Sequence, residues 1–279
     1  MTQHISFISE NQRRIEAVQK SFGPVGTRLL EPHRVLIGEG RLVKQSRRGA
    51  QPKAFFLFND MLVYGSIVIN GRLFKKQKVI PLEDIELEDM ENGHQMKHQW
   101  LLKTPRKSFY VSADSPDEKQ AWMEHIALCK ARLLKDSGRK AGSTFAVTWI
   151  PDPASAICMR CSRKFTLIHR RHHCRKCGFL VCGVCSQKSA VIRNIHPTKR
   201  VRVCKQCHVG LKGREEADEE GRKRGDSAGL RSDEEEQVSF EDQLYEDNVE
   251  DDYQPLNWAD MDSFSPYVYL KPEHVWPSL

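Results

Sequence analysis

The sequence predicts a multidomain chain. A β-barrel or sandwich capped by a C-terminal helix comes first, then a small finger with two zinc ions, then a disordered acidic tail. Short apolar or alternating runs fill residues 34–134, and eight of the nine cysteines form four C-x-x-C pairs within about fifty residues. The sign of the net charge also changes along the chain. Residues 1–210 hold 37 Lys and Arg against 17 acids, whereas residues 211–279 hold 7 Lys and Arg against 20 acids.

Residues 1–33 are predicted to be a helix with a lead-in segment. Ser9 begins a Ser-x-x-Gln capping pattern, and Ile15, Val18 and Phe22 recur at helical spacing. These signals predict a short helix over residues 9–22 whose apolar stripe packs on the following domain.

Residues 34–134 are predicted to be one domain of short strands closed by a helix. Turn dipeptides separate runs at 34–45, 53–65, 66–81, 85–90 and 99–113. Ser115 then supplies an N-cap with a capping-box Glu118, and an apolar stripe with a central Trp122 follows. About seven strands followed by such a helix resemble a pleckstrin homology (PH) domain. Cys129 lies on the stripe and is expected to be a core thiol.

A basic cluster lies where the first two predicted strands meet. Its members are Arg41, Lys44, Arg47, Arg48 and Lys53. PH domains that bind phosphoinositides hold the headgroup at this place, but their usual pair of bases is incomplete here, because Gln51 and Phe55 flank Lys53. We expect a secondary, less selective lipid contact that adds avidity, and the alternative is a solvated basic face.

Two segments are predicted to lack a fold of their own. Residues 135–148 begin with a stretch rich in Gly, Ser and Lys and form a linker to the finger at 149–210. Residues 211–279 contain repeated acidic runs and few aliphatic side chains, so they are expected to be disordered. Aromatic residues are interleaved with the acids. We hypothesise that this tail competes with phosphoinositide for the basic face, and the alternative is a tail that only keeps the protein in solution.

The four C-x-x-C pairs predict two zinc sites. Two intervening residues let both sulfurs of a pair reach one metal at about 2.3 Å, so four pairs hold two ions. The cysteines are 158, 161, 174, 177, 182, 185, 204 and 207. A disulfide framework is the alternative, but no secretory leader and no membrane-spanning apolar run is recognised, so we expect a reducing compartment.

Three signatures surround these pairs: Trp149-x-x-Asp152, the run R-R-H-H-C-R-K-C-G from Arg170 to Gly178, and Arg202-Val-Cys204. Together they resemble the FYVE zinc finger, which binds phosphatidylinositol 3-phosphate on endosomal membranes. The resemblance implies a first zinc site of Cys158, Cys161, Cys182 and Cys185. It implies a second of Cys174, Cys177, Cys204 and Cys207.

The charge of the finger suits a phosphomonoester. From residue 149 to residue 210 there are thirteen Lys and Arg against one acid, Asp152. Arginine meets phosphate bidentately, and a lone carboxylate can accept hydrogen bonds from inositol hydroxyls. The residues implied to contact the headgroup are Asp152, Arg170, Arg171, His172, His173, Arg175 and Arg202. For the histidines the alternative is a donor that orients a thiolate or a backbone group.

An apolar tip at Leu167 and Ile168 precedes the basic cluster. In FYVE domains the matching loop enters the bilayer, and full burial of both side chains would contribute roughly 3–6 kcal/mol. The alternative is that the two residues fill a small core.

A PH-like domain joined directly to a FYVE-like finger resembles the phafin family. This resemblance implies a non-enzymatic adaptor for phosphatidylinositol 3-phosphate and anionic membranes. It implies a cytoplasmic protein, peripheral on early endosomes and lysosomes, acting in endosomal traffic and autophagy with possible Rab or effector partners. We recognise no phosphate loop, nucleophile elbow or metal-hydrolase motif. The alternatives are a Rab or protein-binding zinc module and a basic nucleic-acid binder, although Asp152 and the apolar tip argue against nucleic acid.

Overall fold

The computed structural model describes residues 2–69, 73–92 and 96–222, which fall into two compact units. Side chains are described over the same ranges except at 2–7, 69 and 214–222. The first unit ends at Phe145 and the second begins at Ala146. Within these residues, no helix is long and apolar enough to cross a membrane.

The first unit is built on a seven-stranded antiparallel sheet with the order β4-β3-β2-β1-β7-β6-β5. Its strands are β1 (Leu36–Ser46), β2 (Gly49–Phe58), β3 (Met61–Ile69), β4 (Leu73–Pro81), β5 (Glu86–Asp89), β6 (Gln99–Lys103) and β7 (Phe109–Ser112). Consecutive strands pair wherever a turn dipeptide separates them in the sequence. The predicted PH-like sandwich is therefore confirmed.

Helix α2 (Pro116–Ser137) closes one face of this sheet. The backbone N–H of Glu118 donates to Ser115 Oγ at 3.1 Å, and the Glu118 carboxylate accepts from the N–H of Asp114 at 2.7 Å. This is the predicted capping box. Trp122, the central tryptophan, is buried in the main core with the ring of Phe55 at 6.4 Å, and Cys129 is buried there too.

Helix α1 (Thr2–Ser21) belongs to a second apolar cluster, built with the other face of β2. Phe56 and Phe58 lie in this cluster with residues of α1, whereas Phe55 and Leu57 lie in the main core, so β2 is buried on both faces. The predicted helix start at Ser9 is wrong. Gln12 bonds forward to Glu16 at 3.3 Å rather than back to Ser9, and the helix begins seven residues earlier.

The linker predicted at residues 135–148 begins only after helix α2, which is longer than predicted. The first residues of this linker are held against the first unit. Helix α2 extends to Ser137 and ends at Gly138, whose φ is 64°. Gly142 N–H then donates to the carbonyl of Glu83 at 2.9 Å, and Arg139 pairs with the Glu83 carboxylate at 2.7 Å. Residues 138–142 are thus held in place although they form no helix or strand.

The second unit contains two small antiparallel ribbons and a helix. One ribbon pairs β8 (Arg171–His173) with β9 (Leu180–Cys182), and the other pairs β10 (Lys188–Val191) with β11 (Arg200–Val203). Helix α3 (Lys205–Arg222) follows. It passes the predicted tail boundary at residue 211, because Leu211 still packs against the core of this unit. Residues 223–279, which carry most of the predicted tail, lie outside the described residues.

Candidate metal centres and anion-binding surface

The eight cysteines of the second unit gather into two quartets. Cys158 and Cys161 lie with Cys182 and Cys185, and the four sulfur atoms are all within 4.8 Å of one another. The Sγ atoms of Cys161 and Cys182 are 3.8 Å apart. Four thiolates at about 2.3 Å from one zinc ion form a tetrahedron with edges of about 3.8 Å. The quartet therefore has the size and the donor set of a structural zinc site.

The second quartet consists of Cys174, Cys177, Cys204 and Cys207, with the same limit on the distances between its sulfurs. None of these eight cysteines forms a disulfide. The interleaved grouping is the one that the FYVE resemblance implies, with the first and third pairs on one site and the second and fourth on the other.

The electrostatics of the first quartet favour a bound cation. Burial raises the pKa of Cys158, but N–H donors from Cys182, Arg160 and Cys161 outweigh burial and bring that pKa to about 7. Burial and the neighbouring thiols raise the pKa of Cys185 to about 12. The thiol of Cys158 thus ionises readily near neutral pH, whereas ionising Cys185 requires a positive ion at the centre of the quartet.

Arg160 is a functional residue that the sequence analysis missed. It stands inside the first C-x-x-C pair, yet its Nε donates to Cys204 Sγ at 3.3 Å and its Nη2 to Cys177 Sγ at 3.5 Å. Burial lowers the pKa of Arg160, but the hydrogen bonds to these two sulfurs outweigh burial and raise it. A base inside a cysteine pair is the one sequence signal that could have drawn attention to it.

The segment that carries Trp149 and Asp152 docks on the turn that ends the second cysteine pair. The N–H of Ile150 donates to the carbonyl of Gly178 at 3.0 Å. Gly178 has a φ of 73°, and a Cβ placed there would lie 2.3 Å from the carbonyl oxygen of Thr148. Only glycine allows this approach without displacing the segment.

His173 holds the same segment from its other side. Its Nε2 lies 2.7 Å from the carbonyl of Ile150 and 3.7 Å from Asp152 Oδ1. The imidazole stacks on the indole of Trp149 at 4.9 Å, and His173 is only 2% exposed. The structure therefore favours the alternative in which His173 orients backbone. His172, half-buried on strand β8, remains a predicted headgroup contact.

Two of the predicted phosphate-binding arginines come from distant parts of the chain and meet here. The N–H of Arg175 donates to the carbonyl of Arg202 at 2.9 Å. The Arg175 guanidinium lies 4.5 Å from the Trp149 ring and donates to His173 O at 2.7 Å, and that of Arg202 donates to Ser186 O at 2.9 Å. Each side chain is thus fixed at one edge by a backbone carbonyl.

Arg170 and Arg171 are exposed residues at the start of the β8 ribbon. The Arg171 guanidinium lies over the ring of Phe165 at 4.8 Å. Phe165 in turn packs against the cysteine-rich core. The structure therefore places Arg171 beside the base of the loop that contains the apolar tip.

That loop presents its apolar tip to solvent. Leu167 is 94% exposed and Ile168 is 89% exposed, so the alternative in which they fill the core is excluded. A tight turn supports the tip, since Thr166 N–H donates to His169 O at 3.1 Å and His169 N–H donates to Thr166 Oγ1 at 3.0 Å.

The basic cluster of the first unit is more dispersed than predicted. Lys44 is 3% exposed with its Nζ 4.2 Å from the Phe109 ring, and Lys53 Nζ donates to Ser66 Oγ at 2.7 Å. Arg41 lies 3.7 Å from the carboxylate of Asp114. Arg47 and Arg48 occupy the turn between β1 and β2. The cluster therefore does not form one set of solvent-exposed cations.

Comparison with known proteins agrees with this architecture. The PH domain model matches residues 36–131, and the FYVE zinc finger model matches residues 148–213. Pleckstrin homology domain-containing family F member 1 of Homo sapiens is 47% identical over 79% of this chain and 80% of that protein. Family F member 2 of Danio rerio is 45% identical over 76% of this chain and 85% of that protein. A solved FYVE domain of Leishmania major is 34% identical over 29% of this chain and 83% of that chain, with a TM-score of 0.22. The FYVE zinc finger match and the two cysteine quartets together support two zinc ions.

Proposed function

Because the chain belongs to the pleckstrin homology domain-containing family F, the phafins, we propose that it is an adaptor that recognises phosphatidylinositol 3-phosphate through its FYVE finger. It would recruit itself and its partners to endosomal and lysosomal membranes in vesicle traffic and autophagy. Its domains are those of phosphoinositide-binding adaptors, and the identity of the lipid and of the membrane is the proposal.

The observation that carries the proposal is the convergence of three separated signatures. The Trp149 segment is hydrogen-bonded to the basic run that ends at Gly178, through Ile150 and Gly178. That run is hydrogen-bonded in turn to the Arg202 segment, through Arg175 and Arg202. These contacts bring one carboxylate and two arginines to a single region of a unit that is otherwise strongly basic.

The chemistry of this region suits a phosphorylated inositol. A phosphomonoester carries nearly two negative charges and three acceptor oxygens, which guanidinium groups bind as charge-assisted donors. Arg175 and Arg202 each donate to a backbone carbonyl, which holds their guanidinium groups in place. Asp152 cannot attract phosphate, so its role is to accept hydrogen bonds from ring hydroxyls. A carboxylate beside the cations would give selectivity among phosphate positions.

The exposed tip at Leu167 and Ile168 supports a membrane-bound ligand over a free one. Two apolar side chains in water next to Arg170 and Arg171 suit a bilayer with anionic headgroups, where each nearby cation contributes about 1 kcal/mol. The PH domain would then add avidity through the turn that carries Arg47 and Arg48, since two tethered sites can bind a hundredfold more tightly than one.

The test is co-sedimentation of the zinc-loaded full chain with vesicles that carry phosphatidylinositol 3-phosphate or its 4- or 5-phosphate isomer. Arg171→Ala and Arg193→Ala each remove one charge from an exposed position of the same unit, but only Arg171 belongs to a signature. We expect selective binding to the 3-phosphate that falls at least about tenfold in Arg171→Ala, as for a lost charged hydrogen bond. Arg193→Ala should retain it.

Equal binding to all three isomers, or equal losses in the two variants, would show that net charge alone acts. That result would overturn the proposal and favour the nucleic-acid or protein-partner alternatives. In cells, a fluorescent fusion should mark early endosomes and lysosomes and disperse when synthesis of 3-phosphoinositides is inhibited. A diffuse wild-type protein would contradict the proposed location.

A further inference from the structure

Arg160 contacts both metal centres of the finger. Its backbone N–H donates to the thiolate of Cys158 in the first quartet. Its guanidinium reaches the second quartet, with Nε 3.3 Å from Cys204 Sγ and Nη2 3.5 Å from Cys177 Sγ. Among the described residues, Arg160 is the basic residue whose guanidinium donates hydrogen bonds to the cysteine sulfurs of a quartet.

The side chain is held where it reaches the sulfurs. The Arg160 guanidinium lies 4.6 Å from the centre of the Phe179 ring, which limits its rotation. Arginine presents its donors as a rigid planar fork, so an orientation fixed by stacking also fixes the two N–H groups on their acceptors. These contacts hold the guanidinium in one orientation against the sulfurs, unlike a mobile surface base that only lies near a thiol.

The Arg160 guanidinium offsets the negative charge of the second zinc site. Four thiolates around one Zn²⁺ carry a net charge of minus two, and a half-buried site solvates that charge poorly. A guanidinium remains positive at every physiological pH, and two charge-assisted donors reduce the charge on two of the four sulfurs. The hydrogen bonds from Arg160 to these two sulfurs are therefore expected to slow the loss of zinc from the second quartet.

We propose that Arg160 couples the two zinc centres, so that metal in the first quartet positions the guanidinium that stabilises zinc in the second. The first ion fixes the turn from Cys158 to Cys161, and Arg160 is inside that turn. Its side chain then acts on Cys177 and Cys204 as a positioning and charge-balancing residue. This inference concerns metal retention and does not depend on which lipid the finger binds.

The test counts zinc ions by native mass spectrometry of the full chain during titration with a chelator. Arg160→Met removes the charge and the donors while it keeps the length of the side chain, and Arg160→Lys keeps the charge without the fork. Arg163→Met is the matched control, because Arg163 is an exposed base two residues beyond the same cysteine pair. Alkylation of cysteines, mapped by peptide mass spectrometry, identifies which quartet has opened.

We expect Arg160→Met to release one zinc ion at about a tenfold to hundredfold lower chelator activity than wild type, which is the usual effect of losing a partner of a metal ligand. Alkylation should then appear first at Cys174, Cys177, Cys204 and Cys207. Arg160→Lys should release zinc at a chelator activity between those of Arg160→Met and wild type. Arg163→Met should release it at the same activity as wild type. Release curves that coincide for the Arg160 and Arg163 variants would overturn the proposal, as would earlier opening of the first quartet.

Discussion

Truncating the apolar tip should detach the protein from membranes without harming its fold. Leu167→Ala and Ile168→Ala each remove three carbons from side chains that are about nine-tenths exposed, so little packing is lost. At about 0.8 kcal/mol per buried CH₂, full insertion of both side chains contributes about 5 kcal/mol beyond alanine, and half insertion about 2.4 kcal/mol. The double variant should therefore lower partitioning onto vesicles between about fiftyfold and a few thousandfold.

The assay is co-sedimentation with vesicles that contain phosphatidylinositol 3-phosphate, accompanied by thermal unfolding. Val209→Ala is the control, since Val209 is 70% exposed in α3 of the same unit and lies outside the loop. Binding to a soluble short-chain form of the lipid should survive in the double variant, because Arg175 and Arg202 are unchanged. A loss of partitioning below threefold, with an unchanged melting temperature, would refute the assignment of the loop to the bilayer.

Three further predictions follow from the geometry. Gly65→Ala should cost about 1–3 kcal/mol in urea unfolding, because its Cβ would lie 2.4 Å from the Phe22 ring; Phe22→Leu in that background should recover part of the loss. Gly178→Ala should reduce lipid binding, whereas Gly138→Ala, with a similar φ of 64° but open space around it, should not. Burial raises the pKa of Cys129 to about 12, so at pH 8 its thiol should react with iodoacetamide roughly a thousandfold more slowly in the folded protein than in denaturant.

Each of these has a clear contrary result. Additive effects of the Gly65 and Phe22 changes would mean that Phe22, just after α1, does not pack against Gly65 as the structure places it. Equal losses in the two glycine variants would trace the Gly178 effect to backbone strain alone. Rapid labelling of native Cys129 would show that helix α2 opens readily from the sheet.

The fold could be predicted where local signals repeat. Alternating strands, turn dipeptides and a capping box at Ser115 are all encoded within a few residues, and the structure confirms them. The start of α1 was predicted wrongly because Ser9-x-x-Gln12 satisfies a capping pattern in any context. Whether Gln12 bonds backwards or forwards depends on Glu16, which offers a competing acceptor one turn later.

Contacts between distant residues could not be predicted in the same way. The spacing of cysteines indicates that metal is bound, but the reach of Arg160 to Cys204 joins residues 44 positions apart. In the PH domain the pattern located bases on β1 and β2 correctly, yet it could not reveal that Lys44 points between aromatic rings rather than into water. Strand alternation gives the face of a residue, whereas burial depends on which elements cover that face.

The metal centres and the proposed anion-binding surface lie on the same stretches of backbone. His173 and Arg175 flank the ligand Cys174 directly, and Arg202 precedes Cys204 by two residues. The core of this unit consists largely of the cysteines themselves with a few aliphatic side chains, so little apolar burial exists to hold these residues in place without metal. A module so small can keep several cations close together because zinc coordination, rather than a hydrophobic core, opposes their mutual repulsion. The proposed lipid-recognition surface is therefore expected to form only in the zinc-loaded protein. Its geometry then depends on the contacts, including those of Arg160, that keep the second ion bound.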